Sequence, residues 1–336
     1  MPTAENAILY YESGQTLVAM VALTDQGDHL DFRSAAALWS DKAGYAVDVK
    51  PNGLATGGAV IPAGAAGDNN VDVAALTCYL AGVLTSVNAD TDVACTRPAG
   101  DVAKVISITV TDAGVIAAVA GTDGATTTFS ETRAAAGGPP LIPVGSIEIA
   151  QVRLTATAAA AISASEIFQV VGTHRERFDF PTWEVKRSNV ASGVAGYAGV
   201  VFNSALPLIH TGAVPKKVYA QYYTPVFAQV PKSADFVPAG ESFSVGSTQI
   251  YGLTLGAVSK SLGQGSFQAY FEDGVTDGLL YEDGKKLWFK FKPDRLKDPY
   301  ILAQGYLGVS QTFPAGNNIG ASCTISAEVK SDRVSG

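Results

Sequence analysis

The segment Ala321-Ser322-Cys323-Thr324-Ile325-Ser326-Ala327-Glu328-Val329-Lys330 decides the fold class. Small and apolar residues occupy every second position, and hydroxyl or charged residues fill the gaps. That period of two is the mark of a strand with one face toward a core. The same pattern recurs upstream. Leu287, Phe289 and Phe291 alternate with Lys286, Trp288, Lys290 and Lys292. Ser266 to Phe271 alternates and stops at Glu272-Asp273-Gly274, and Tyr300 to Thr312 predicts a longer strand. Lys217 to Tyr223 and Ile250 to Val258 add two more strands, with Gly-rich turns between them. Short strands punctuated by such turns predict a mainly β protein built as a sandwich or barrel.

The first half reads as strands too, with one exception. Ala7 to Tyr11 and Thr16 to Leu23 are strands separated by Glu12-Ser13-Gly14, and Gly53 to Asn70 is a long Gly/Ala/Pro-rich loop. Val73, Leu76, Leu80, Val83, Leu84 and Val87 recur at helical spacing behind Asn70, which predicts one helix. Ile106 to Val110, Val115 to Ala120 and Ala125 to Ser130 form a meander, with Asp123-Gly124 as a hairpin signal. Gly145 to Leu154 is a further strand, and Ser163-x-x-Glu166 matches a capping box.

Charge divides the chain. Residues 1–170 hold 7 basic and 17 acidic side chains, and residues 171–336 hold 16 and 14, giving nets of −10 and +2. With His174-Arg175-Glu176-Arg177 near the shift, the expected domains are 1–170, an additional β-rich unit with one helix, and 171–336, a β-sandwich. Charged residues are 16% and hydrophobic residues 47% of the 336. Since an average soluble protein carries about 25% charged residues, part of this surface is expected to meet other subunits. The net charge of −8 argues against a general nucleic-acid binder.

No chemistry-bearing constellation emerges. His29, His174 and His210 lie far apart, without a neighbouring ligand at metal spacing. Cys78, Cys95 and Cys323 form no motif and read as reduced thiols, with a Cys78–Cys95 bridge as the alternative. Asn88, Asp90 and Asp92 start like a Ca²⁺ loop, which then fails at Val93 and Ala99. Gly263-x-Gly265 continues to Gln268 and precedes a strand, so it is no dinucleotide fingerprint. The pairs Glu272/Asp273 and Glu282/Asp283 sit in turns. No catalytic, cofactor or metal residue is therefore expected, nor any enzyme. Lys286, Lys290 and Lys292 read either as a solvent face with edge-protecting lysines or as a contact to an acidic neighbour. The N-terminus lacks the basic and apolar regions of a signal peptide, and no apolar run suffices for a membrane span.

The order of elements over about residues 200–336 resembles the tail tube (major tail) proteins of long-tailed, non-contractile bacteriophages. The resemblance lies in Gly265–Gly274, Gly278-Leu279-Leu280, the strand Lys286 to Lys292, Pro299–Val309, Phe313-Pro314 and the closing strand Ala321 to Lys330. It implies a structural virion protein whose six-fold rings stack into the conduit for DNA, with tape measure and tail terminator proteins as further partners. It also implies assembly in the host cytoplasm, and acids such as Asp273 or Glu328 on a bore that DNA crosses without binding. Residues 1–170 would then lie outside the tube. The alternative reading is another virion component, of capsid type or a host-binding fibre.

Overall fold

The computed structural model describes residues 6–36, 38–64, 67–169, 176–187, 198–251 and 253–335. The protein is mainly β, with 51% strand and 2% helix. The chain opens with β1 (Ile8–Ala22), β2 (Thr24–Asp25), β3 (Asp31–Arg33) and β4 (Asp48–Pro51). Ten short strands follow: β5 (Gly53–Gly57), β6 (Val60–Pro62), β7 (Asn70–Val73), β8 (Leu76–Leu80), β9 (Val83–Val87), β10 (Asp90–Ala94), β11 (Lys104–Val110), β12 (Ile116–Ala120), β13 (Ile147–Leu154) and β14 (Ile167–Gln169). The second half continues with β15 (Trp183–Arg187), β16 (Ala198–Phe202), β17 (Val218–Gln229), β18 (Ser233–Val237), β19 (Glu241–Ile250), β20 (Leu253–Leu262) and β21 (Gly265–Tyr270). It ends with β22 (Lys286–Lys292), β23 (Tyr300–Thr312), β24 (Gly320–Ala327) and β25 (Asp332–Val334).

One nine-stranded sheet organises the molecule, in the order β18-β21-β24-β23-β22-β1-β17-β4, with β25 added on β23. Its inner face gathers Leu9, Phe267, Phe289, Leu307, Cys323 and Ile325 into one core. The sheet curls far enough for rings from distant strands to meet. Phe267 of β21 lies 5.8 Å from Phe289 of β22, and Phe236 of β18 lies 4.6 Å from Phe291 of β22. The result is a small barrel filled by side chains rather than a pore. At its β1–β17 end a second layer, β15-β16-β3-β2, packs on it through Phe32, Val200, Phe202 and Tyr222. The loop between β3 and β4 is pinned there. Trp39 stacks on Tyr222 at 5.0 Å, and Trp288 Nε1 donates to its carbonyl at 3.0 Å. Beneath the loop, the buried Glu12 accepts from Ser40 Oγ, from Gln15 Nε2 at 2.9 Å and from the Trp288 N–H at 3.2 Å.

The expected division at residue 170 does not follow the strand pairing. β1 pairs with β17 and β22, and β4 with β17, so residues 8–51 belong to the sheet of the second half. A module from β5 to β14 is inserted between β4 and β15. Its sheets are β5-β8-β9, β10-β7-β6 and β12-β11-β13-β14, around Val71, Cys78, Ile106, Ile108, Ile149 and Val152.

The expected helix is absent. Its residues form β7, β8 and β9, broken at Ala74-Ala75 and at Ala81-Gly82. Strands of four or five residues separated by two-residue breaks place apolar side chains three or four apart, which imitates a helical period. The long loop expected over Gly53 to Asn70 contains β5 and β6. Glu12-Ser13-Gly14 is a bulge within the single strand β1 rather than a turn. Ala125 to Ser130 is not a strand, so Asp123-Gly124 closes no hairpin; the Asp123 carboxylate instead accepts from the Ala99 N–H at 2.7 Å and pairs with Lys104 at 3.0 Å. Ile250 to Val258 is not one strand either, because the chain reverses between Ile250 and Leu253. The Ser163/Glu166 box forms, with the Ser163 N–H donating to Glu166 at 2.8 Å, but it caps only a single turn of 3₁₀-helix.

Candidate assembly surfaces and the module joint

The outward face of β21, β24 and β23 is set by the alternation that buries Phe267, Ala269, Ala321, Cys323 and Ile325. The residues between them must face out. They are Ser266, Gln268, Ser322, Thr324 and Ser326, joined across the ladder by Tyr306, Gly308 and Ser310. None is charged. An exposed sheet face normally carries lysines and acids, so a broad hydroxyl face is a departure that asks for a cause.

Beside it, β22 is an interior strand, so its lysines protect no edge. Lys286 pairs with Asp41 at 2.8 Å and Glu328 at 2.7 Å. Lys290 lies 4.3 Å from the Tyr300 ring, and burial with the charge of Lys292 lowers its pKa. The acidic residues read for a bore are locally engaged. Glu328 holds Lys286, and Asp273 accepts the N–H groups of Val275 and Thr276 at 2.7 Å each. With the Thr276 hydroxyl, these bonds hold the Asp273 carboxyl at about 2.

Between β18 and β21 the chain leaves the barrel as a two-stranded ribbon, β19–β20, paired from Glu241↔Leu262 to Ile250↔Leu253. The Gly263 N–H donates to Gly240 O at 2.8 Å and closes its root. One face carries Phe243, Val245 and Val258, which are 63%, 75% and 67% exposed. The other carries Ser242, Ser244, Ser259 and Ser261, cross-bonded at 2.7 and 2.5 Å. Glu241 and Lys260 are the ribbon's only charged residues, and they pair with each other at 2.7 Å.

The module is joined to the sheet body by a buried polar cluster. Gly53 lies where a Cβ would stand 2.3 Å from the Phe178 N, so the two crossing strands of chain run in close contact. Leu54 and Arg177 form a parallel bridge there. At Gly82 (φ +78°) a Cβ would stand 2.0 Å from Met20 Cγ, which seats the β8–β9 turn on β1. Inside the joint Lys216 donates to Arg177 O at 2.8 Å and Phe180 O at 2.6 Å. Arg133 pairs with Glu148, which also accepts from Ser107, and the Glu148 N–H faces Glu176 Oε2 at 3.5 Å. Burial pushes the Glu176 carboxyl up to about 7, against the pull of Lys216. Burial pushes Lys216 down to about 8, against the pull of Glu176.

The remaining sequence candidates fall apart in space. His210 is buried in the joint, its Nε2 2.8 Å from Ser146 O and its Nδ1 3.2 Å from Val214 O, and burial lowers its pKa. His29 lies 2.6 Å from Asp25 at a cleft of about 450 Å³ between Leu23, Phe32 and Val214. Asp25 also accepts the N–H groups of Gly27 and His29, so the pair locks a turn. His174 and Arg175 lie outside the described residues. Asp90 and Asp92 stand on β10, and the Asp92 N–H donates to Asp72 at 3.0 Å. Among the described residues no group of three or more His, Cys, Asp and Glu gathers to hold a metal ion. Cys78, Cys95 and Cys323 are free and buried. No helix among the described residues is long and apolar enough to cross a membrane.

Sequence reasoning missed the ribbon, because its turn was read as the middle of a strand. The signal was present as 22 residues, Glu241 to Leu262, with one acid and one base at the two ends. No family model matches the chain, and no curated protein or solved structure matches it.

Proposed function

We propose that this chain is a structural subunit that multiplies into stacked rings, the tail tube subunit of a long-tailed bacteriophage, and that it has no catalytic role. The observation that carries the reading is the uncharged outward face of β21, β24 and β23. A wall of hydroxyls offers no cation to hold a phosphate and no row of anions to repel one. DNA would pass such a wall without counterion release. This face is therefore the candidate bore wall, in place of Asp273 and Glu328, whose carboxylates are engaged locally. The low charge fraction fits a subunit whose sides meet other copies. In a virion the module would stand outside the ring.

Negative-stain microscopy of the purified full chain tests the reading. Rings or tubes with a central hole are expected. Compact trimers would favour the fibre reading, and a monodisperse monomer at all concentrations would overturn self-assembly altogether.

A further inference from the structure

We propose that the β19–β20 ribbon is an assembly arm that seats on a second copy of this chain. The inference rests on the self-assembly part of the reading above, but not on the tube. An isolated two-stranded hairpin is marginal in water. The ribbon's described side chains are exposed on both faces, and none of them belongs to the hydrophobic cores. Its apolar face shows Phe243, Val245 and Val258 to solvent, and Tyr251 stands wholly exposed at the tip. Exposed apolar side chains gathered on one face mark a contact surface rather than scattered surface residues.

Area and charge identify the occupant. Ten residues per strand at ~3.4 Å reach about 34 Å, and two strands are about 10 Å wide. Each face then offers about 340 Å², and both together about 700 Å², near the ~800 Å² per side of a stable interface. Both faces must therefore be covered, which calls for a groove rather than a flat surface. The arm carries no net charge, because Glu241 and Lys260 neutralise each other at its root. A strongly charged partner such as a nucleic acid or an anionic membrane would gain nothing from it. A neutral, hydroxyl-rich arm fits a neutral, hydroxyl-rich protein, and this chain carries such surface itself. Seated head-to-tail rather than by two-fold exchange, the arm would carry the contact on from copy to copy.

Two variants and one probe test the arm. The first is Phe243→Lys with Val245→Lys. The second excises residues 244–259 and joins Phe243 to Lys260 through Asn-Gly, a two-residue turn that keeps the root pair. Both should retain the wild-type circular dichroism and melting of the barrel, and both should shift the protein from assemblies to monomer by light scattering. A photo-crosslinking residue at Tyr251 should capture a second copy of the chain in the wild-type background. Unchanged assembly in both variants, or no crosslinked dimer from an assembled sample, would overturn the arm. Holed rings that persist without the ribbon would leave the tube reading intact and remove only the arm. Ribbon-dependent assembly into closed, unholed oligomers would keep the arm and remove the tube.

Discussion

Phe236 stacks on Phe291 with ring centroids 4.6 Å apart and planes inclined by 20°, although β21, β24 and β23 lie between their strands in the sheet. The contact records how far the sheet has curled. It also shows that the barrel is held by its interior and not by continuous hydrogen bonding around its girth.

Stability should therefore be concentrated in the rings of that interior. Phe289 is 0% exposed, and Phe289→Ala should cost about 3–5 kcal/mol, measured by urea denaturation. Phe236 is only half-buried, so Phe236→Ala should cost less and loosen β18 first. Hydrogen exchange would show that as earlier exchange of the β18 amides. Equal losses for the two variants would mean that the barrel is closed by something other than its core.

The joint should make stability depend on pH in a definite direction. Between about 4.5 and 7 the unfolded chain gives up the Glu176 proton before the folded one does. Stability should fall as pH rises through that window, by at most ~3.5 kcal/mol at ~1.4 kcal/mol per pKa unit. Between about 8 and 10.5 the folded chain gives up the Lys216 proton first, and stability should rise. Glu176→Gln should flatten the first slope and, by removing the carboxylate that holds the Lys216 pKa up, start the second slope at lower pH, as read by denaturation midpoints from pH 5 to 10.

The three cysteines should be silent in the folded protein. Burial pushes Cys78 up to about 11, and Cys95 and Cys323 up to about 12, so almost no thiolate is present at neutral pH. A chromogenic thiol reagent should report no rapid reaction in buffer and three thiols in denaturant. Fewer than three under unreduced denaturing conditions would restore the Cys78–Cys95 bridge.

The hydroxyl face should become adhesive when charged. Ser322→Lys with Ser326→Lys should give assembled protein a salt-dependent affinity for duplex DNA that the wild type lacks, with a log–log salt slope steeper by about 2. Lysines placed instead at the exposed Thr127 and Ala158 of the module serve as the comparison. If both pairs behave alike in fluorescence anisotropy, the face has no special relation to a bore.

The strands from Gly265 to Ala327 were legible because they complete several periods, whereas the equally long β19 and β20 were not, since the turn between them falls inside the stretch Ile250 to Val258. Tyr300–Thr312 is the expected strand to the residue, and Gly320–Ala327 buries Ala321, Cys323, Ile325 and Ala327 as the alternation requires. The module defeated the same reasoning, since Asn70–Val73 and Leu76–Leu80 end before a period of two can be told from one of 3.6. The pairing of Ile8–Lys292 joins ends of the chain that no local pattern connects. Charge asymmetry did not trace the module, because residues 1–52, with seven acids and three bases, are acidic as well and yet pair with the strands of the second half. Of the candidate surfaces, the hydroxyl face was written in the alternation of Ala321 to Ala327. The joint was not, since Glu176, Lys216 and Glu148 meet only through tertiary packing.

The module enters at Gly53 and leaves by way of Arg177, and the bridge between Leu54 and Arg177 places entry and exit side by side. A chain whose insert comes and goes through one doorway keeps its strand order uninterrupted, while the buried joint and the Gly82 seat on Met20 tie the insert to the body. The barrel's ladder runs from β4 directly to β17 without the module's strands. Evolution could thus graft or exchange this module while the strand order of the sheet body stayed as it was. The same doorway is where a foreign domain could be spliced in for display.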